Sequence, residues 1–367
     1  MLFTLGGWIK AIILAFKTRV IADSGTFEAE TNLESQLNNI GKDLFDSASL
    51  VITPNGVKTS KLYTIKPNDG TGDLSVTRNT SATRINENGN IVDVPANVAR
   101  IDYSKGQPAI LVEPQRTNLV FPSATATTQT RAVTAQSYTL SFYGTGNVVL
   151  SGAFSGTLNG TGAINRVTLT FTPTAGSLTL TVSGSVTNWQ LEAGSNATSL
   201  IKTVSGSVTR NADIISKTGI SDLIGQTEGS AYFEIYFNEI ANAGFRAFFS
   251  LEGDIGSQFS AFSATTSNNG NNIQYAGIIF NLTQGIHKVV CSYSQATNQR
   301  KLYVDGVLRA TSTHTNFLST ITSISLGSRI NPYTSFATDR PQNGSFKSFA
   351  LYKTALTDTQ AIQLTTL

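Results

Sequence analysis

The segment GIHKVVCSYSQATNQRKLYVDGVLRAT, residues 285–311, decides the fold. In His287–Tyr293 apolar and polar side chains alternate with the period of two that puts one set on a core and the other outward. Asp305-Gly306 sits between two further alternating runs, and these residue types tolerate the positive φ angles that a two-residue hairpin demands. Cys291, the single cysteine, falls inside the first run and reads as a small buried strand residue rather than a nucleophile. Working outward, the pattern repeats in AYFEIYF (231–237), FRAFFSLEG (245–253), FSAFSAT (259–265), IQYAGIIF (273–280), ITSISLGS (321–328) and SFKSFALYK (345–353). After the last run, Thr357 and Gln360 have the spacing of a capping box, which predicts a short closing helix docked on the strands.

The hairpin Leu302–Val307 (LYVDGV) after a strand and a polar turn, with the closing helix, resembles the concanavalin A-like or laminin-G-like sandwich, expected over 229–367. The resemblance implies a ligand site at the sandwich rim or on a concave sheet face. The longest loop, GSRINPYTSFATDRPQNG (327–344), is therefore the first candidate. Tyr333 and Phe336 offer faces for a pyranose, and Asn331, Asp339 and Arg340 offer hydrogen bonds to hydroxyls. A loop packed on a neighbouring subunit would have the same composition.

Upstream, YTLSFYGTG, NVVLSGAF, VTLTFTPTAG and SLTLTVSG predict a small β-sandwich over 137–210, after a polar linker at 121–136. Its closing stretch, Trp189–Thr203, resembles that of carbohydrate-binding-module-like jelly rolls; Trp189 lies in an alternating run and reads as core.

Residues 61–120 string together turn residues and solitary arginines without a dense apolar run. Thr77-Arg78, Ala82-Thr83-Arg84, Asn88-Gly89, Pro95, Asn97, Arg100–Tyr103 and Glu113–Leu119 follow an order that resembles a segment of structural proteins of tailed bacteriophages and prophages. With KTRVIADSGTFEA, Leu44–Pro54 and Lys61–Tyr63, the resemblance covers residues 17 to 120. It implies a virion protein, a tail or head fibre, spike or decoration subunit, whose 1–120 region attaches to the particle as an irregular collar. Arg78, Arg84, Arg100 and Arg116 read as structural pins that hydrogen-bond backbone.

At the amino terminus, Trp8, Ile9, Ile12, Ile13 and Phe16 recur at helical spacing. The apolar run is too short for a bilayer span and carries no basic head, so it predicts a retained amphipathic helix. Three places could hide its apolar face: the protein's own core, a groove shared with other virion subunits, or a lipid surface. A second helix is expected after Thr26, with Glu28 and Glu30 in its solvated first turn.

Charged residues are only 13 % of the 367 and the net charge is +3, without clustered Lys or Arg, which argues against nucleic acid as a partner. Two histidines and one cysteine leave little material for acid-base or metal chemistry, and no cofactor or metal is expected. The expectation is a mainly β, non-enzymatic protein of a phage particle surface, made in the bacterial cytoplasm. It would display two sandwiches for recognition of a host glycan, with trimeric assembly favoured. The alternatives are a glycan-degrading tailspike hydrolase and a purely structural virion protein.

Overall fold

A computed structural model describes residues 5–237, 245–253, 258–264, 272–313, 320–328 and 344–366. The fold is mainly β, built as two β-sandwiches, with four α-helices among the described residues. The larger sandwich is a concanavalin A-like double layer. In its first sheet Glu228–Phe237 lies between Gly285–Ser294 and Gly344–Tyr352, antiparallel to both, and Gln299–Val304 and Val307–Thr313 extend the sheet beyond Gly285–Ser294. The second sheet runs through Gln258–Ala264, Phe245–Gly253, Ile321–Leu326, Ile214–Thr218 and Leu74–Thr77. Between the layers Phe233, Phe249, Cys291, Leu302, Leu326 and Phe349 are buried, as the period-two alternation predicts. Asp305 and Gly306 take φ of 52° and 73°, the paired positive values of the expected hairpin turn.

The collar reading of residues 1–120 requires correction, because this region does not stand apart. Strand Leu50–Lys58 pairs with Gly344–Tyr352 (Leu50 opposite Leu351), and Ala109–Val112 pairs with the other end of the same strand (Val112 opposite Gly344). Lys61–Lys66 pairs with both Leu50–Lys58 and Leu74–Thr77 and so joins the two sheets. The physical reason is edge satisfaction. Strands Gly344–Tyr352 and Ile214–Thr218 would otherwise present unpaired N–H and C=O groups, and the short upstream strands fill those ladders. Their buried residues, Leu50, Ile52, Leu62, Leu74, Val76, Ile110 and Val112, belong to the same core as the carboxyl-terminal strands.

Helix α1 (Leu5–Ala22) covers the outer face of the first sheet with α2 (Glu30–Ile40), α3 (Lys42–Ser47) and the closing α4 (Asp358–Thr365). Ile9, Ile13, Phe16 and Val20 are buried there with Leu33, Leu37, Tyr63, Tyr232 and Tyr303; Trp8 and Ile12 pack at the margin, and Trp8 meets Phe45 edge to face at 5.4 Å. Of the three places weighed for this apolar face, the chain's own core takes Ile9, Ile13 and Phe16. No helix among the described residues is long and apolar enough to cross a membrane. The second helix begins later than expected. Thr26–Phe27 forms a short strand against Gly56 and Val57, and Glu28 lies before the helix with its carboxylate 3.6 Å from Arg84 and 3.3 Å from the Tyr103 hydroxyl. Burial pushes the Glu28 carboxyl up, despite Arg84 and that hydroxyl. At the other end the capping box of α4 forms as read, Thr357 accepting from the Gln360 amide.

The smaller sandwich is inserted between Asn118 and Val208, which are cross-strand partners. Its sheets are Gln129–Val133, Gly176–Ser183, Asn147–Gly152 and Gly156–Asn159, against Gly162–Phe171, Tyr138–Gly144 and Val186–Ala193. The predicted linker at 121–136 is therefore part of this unit, since it supplies the strand Gln129–Val133. Trp189 is fully buried in its core and donates from Nε1 to the Pro122 carbonyl at 2.7 Å.

Candidate functional site

One outer face of the larger sandwich is occupied by helices, and the second sheet has the other. On that sheet the residues alternating with the core set are mostly hydroxylic. Cross-strand register sets Ser250, Ser325, Ser216 and Ser75 side by side in one row ending at Lys61, with Thr218, Ser323 and Glu252 in the next. Each strand supplies an outward Ser or Thr because its inward positions are taken by Leu251, Ile324, Leu326, Ile215 and Val76.

The row changes character along its length. At one end Ser250 and Ser325 are buried and their hydroxyls lie 3.2 Å apart; Ser250 also donates to the Glu252 carboxylate, and Ser325 donates to the Ser328 carbonyl at 2.6 Å. Ser323 donates to the Glu252 carbonyl at 3.0 Å. At the other end Ser216 is half-buried, and Ser75, Thr77 and Thr218 are exposed.

Beyond Ser75 lies a cluster of charges. Asp23 accepts from Lys61 at 2.8 Å, Lys58 at 2.9 Å and the Tyr63 hydroxyl at 2.7 Å, which hold its carboxyl far below the usual carboxylate range. Asp73 accepts from the Thr64 amide at 2.9 Å and is paired with Arg19. The result is a polar strip with hydroxyl donors and acceptors in its middle and fixed charges of both signs at its edge. Such a strip can hydrogen-bond a polyhydroxylated chain laid across the strands. Among the described residues no group of three or more His, Cys, Asp or Glu is placed to hold a metal ion.

The predicted ligand residues Asn331, Tyr333, Phe336, Asp339 and Arg340 lie outside the described residues. Sequence reading missed the row itself. Serines at outward positions in FSLEG, ITSISL, IISKT and LSVT were legible as alternation, but only the strand order makes them neighbours.

Of the arginines named from sequence, Arg78 and Arg100 converge elsewhere, on Asp213 where both sandwiches meet. Arg78 donates to Asp213 at 2.9 Å and to the carbonyls of Thr80, Val98 and Pro95. Arg100 bridges Glu113 at 2.7 Å, Ser199 at 2.6 Å and Asp213. Arg84 donates to the Ile101 carbonyl, and Arg116 sits 3.8 Å from Glu192. Arg210, which sequence reading did not single out, joins Glu113 at 2.7 Å and the Pro114 carbonyl at 2.6 Å. Burial would raise the Glu113 carboxyl, but Arg210, Arg100 and the Ser199 hydroxyl and amide outweigh it and hold it low. The buried network of Arg78, Arg100, Arg210, Glu113 and Asp213 is a structural joint.

Residues 222–361 match the family model Laminin_G_3, the concanavalin A-like lectin/glucanases superfamily. The match begins after the strands at 50–58, 61–66, 74–77, 109–112 and 214–218 that complete the two sheets. A search of curated proteins finds no match. Among solved structures, the Ruminococcus gnavus IT-sialidase CBM40 bound to α2,3-sialyllactose is similar at 16 % identity and a TM-score of 0.30, covering 39 % of this chain and 84 % of that one. Domain 4 of AbnA, a GH43 extracellular arabinanase from Geobacillus stearothermophilus, in complex with arabinotriose, is similar at 17 % identity and a TM-score of 0.33, covering 46 % and 82 %. A mutant of the NanB sialidase from Streptococcus pneumoniae is similar at 16 % identity and a TM-score of 0.30, over 40 % of this chain but 25 % of that one. Likeness at this level says nothing about ligand.

Proposed function

We propose that this protein is a glycan-recognition protein of a bacteriophage particle, binding a polysaccharide of the host surface along the hydroxyl strip of the second sheet. The observation that carries the glycan reading is the open end of the strip, Ser216, Ser75 and Lys61 in register, on the sheet face opposite the helices. Binding rather than cleavage is favoured because the acids near the strip are committed: Glu252 accepts from Ser250, Asp23 from two lysines and a tyrosine, and Asp73 from Arg19 and Thr64. The virion reading rests on the ordered motifs of residues 17–120, and trimeric display would raise the avidity of individually weak sites.

The test is a titration of the purified chain with isolated surface polysaccharide. Ser216→Arg and Ser75→Arg are expected to weaken binding at least ten-fold without lowering the melting temperature. Unchanged binding in both removes the strip. New reducing ends after incubation would point to a hydrolase instead, and absence of the protein from purified particles by mass spectrometry would remove the virion reading.

A further inference from the structure

The smaller sandwich holds a cleft of about 580 Å³, within the range of about 300–1,000 Å³ common for small-molecule sites. It lies beside the arginine joint. Residues 115–119 lead in from that joint, 136–138 begin the strand Tyr138–Gly144, and 193–195 end the strand Val186–Ala193. Backbone bonds tie these walls together: the Gly194 amide donates to the Ser137 carbonyl at 2.8 Å, and the Leu119 amide to the Leu191 carbonyl at 2.9 Å. The cleft is thus preformed rather than assembled by its occupant.

Charge is the first thing it offers an occupant. Arg116 lines the cleft with its guanidinium packed on Gly194, which has φ of 145° and where a Cβ would come within 2.8 Å of Arg116 Nε. Glu192 lies 3.8 Å from that Nε, yet its oxygens already accept from the Thr198 amide at 2.8 Å, the Thr198 hydroxyl at 2.7 Å and the Gln190 side-chain amide at 2.5 Å. Two further arginines share it. Arg166 donates to the Thr198 carbonyl at 2.7 Å and Arg210 to the Thr198 hydroxyl at 3.3 Å, so both stand beside the same carboxylate. Across the joint and the cleft, Arg78, Arg100, Arg116, Arg166 and Arg210 face only Glu113, Asp213 and Glu192 among the described residues. The wall behind the cleft therefore carries a surplus of positive charge, and its largely buried setting screens that surplus less than water would. The second thing is an apolar wall, formed by Leu119, Tyr138 and Ala193. Two polar side chains of the lining are engaged within the protein: the Thr117 hydroxyl lies 2.8 Å from that of Thr209, and the Gln136 side-chain amide donates to the Tyr138 hydroxyl at 3.3 Å. A carboxylate matches the planar guanidinium, and a compact apolar body matches the wall.

We infer that this cleft binds a small organic carboxylate with a compact apolar body, a ligand class unlike the polyhydroxylated chain proposed for the serine strip. The test titrates the full chain with phenylacetate and follows the Leu119 and Ala193 methyl resonances. Saturable shifts are expected. Phenylacetamide keeps the apolar body without the charge, and glucuronate keeps the charge on a hydroxylated body; each is expected to bind at least about ten-fold more weakly than phenylacetate. Arg116→Gln is expected to weaken phenylacetate by a similar factor, and the cleft-filling Ser195→Trp to abolish saturable binding. Should either variant fail to fold, the comparison of the three probes on the wild type decides alone. Phenylacetamide or glucuronate binding as tightly as phenylacetate, no saturable shift with phenylacetate, or unchanged affinity in either folded variant would overturn the inference.

Discussion

His287 and Asp305 show how two titratable residues brace the hairpin that marked the fold. Imidazole Nδ1 lies 2.7 Å from the Asp305 carboxylate and Nε2 lies 2.8 Å from the Thr283 carbonyl. Burial would lower the His287 pKa, but those two acceptors favour the imidazolium and raise it; burial likewise works against Asp305, yet His287 and the Lys288 amide lower its pKa. The histidine therefore contributes stability fully below its ordinary value of about 6.5, lost as pH rises through the raised value. The aspartate contributes above its ordinary value of about 3.9, and this is lost as acid protonates it. Melting temperature should thus fall as pH rises above the ordinary imidazole value of about 6.5, and His287→Asn should flatten that slope in thermal melts; an unaltered slope would assign it elsewhere. The arginine joint predicts a larger effect. Arg210→Met leaves Glu113 buried with a missing partner, and removing one member of a buried pair costs about 3–5 kcal/mol. Urea unfolding should show that loss, and one under about 1 kcal/mol would mean that Arg100 and Ser199 alone satisfy the carboxylate.

At the scale of elements, α4 closes the first sheet by burying Ala361 and Leu364 beside Tyr303 and Tyr352. Its first turn is held by the Thr357–Gln360 box, so Thr357→Ala should destabilise the chain by about 1 kcal/mol, read by chemical denaturation. That element was legible because its signal is local: a cap, its partner three residues on, and a preceding strand. The hairpin at Asp305-Gly306 and the burial of Cys291 and Trp189 were legible for the same reason. Short strands such as Leu74–Thr77 and Ala109–Val112 were not. Four residues between turn signals carry little periodicity, and besides a near neighbour each pairs with a strand more than a hundred residues away. The apolar face of α1 was read correctly from spacing, yet spacing does not say which surface receives it. The serine strip shares that limit: each serine was visible, and the row exists only once strand order is known.

For the whole molecule, the larger sandwich is assembled from both ends of the chain around an inserted smaller one. A fragment limited to 222–361 lacks the strands that pair with the second edge of Gly344–Tyr352 and of Ile321–Leu326, so it should not unfold cooperatively when expressed alone. Replacing 119–207 by an Asn-Gly turn should leave a folded protein, because Asn118 and Val208 are already cross-strand partners. Its melting temperature should fall, since Ser199 no longer reaches Glu113; circular dichroism and thermal melts separate the two outcomes. In this architecture the helices close one face, and the hydroxyl strip on the other carries the proposed glycan binding. Hydrogen exchange of the full chain with and without saturating host polysaccharide tests that most directly. The account predicts slowed exchange in peptides covering 74–77, 214–218 and 321–326. Binding without any slowing in these three strands would contradict it.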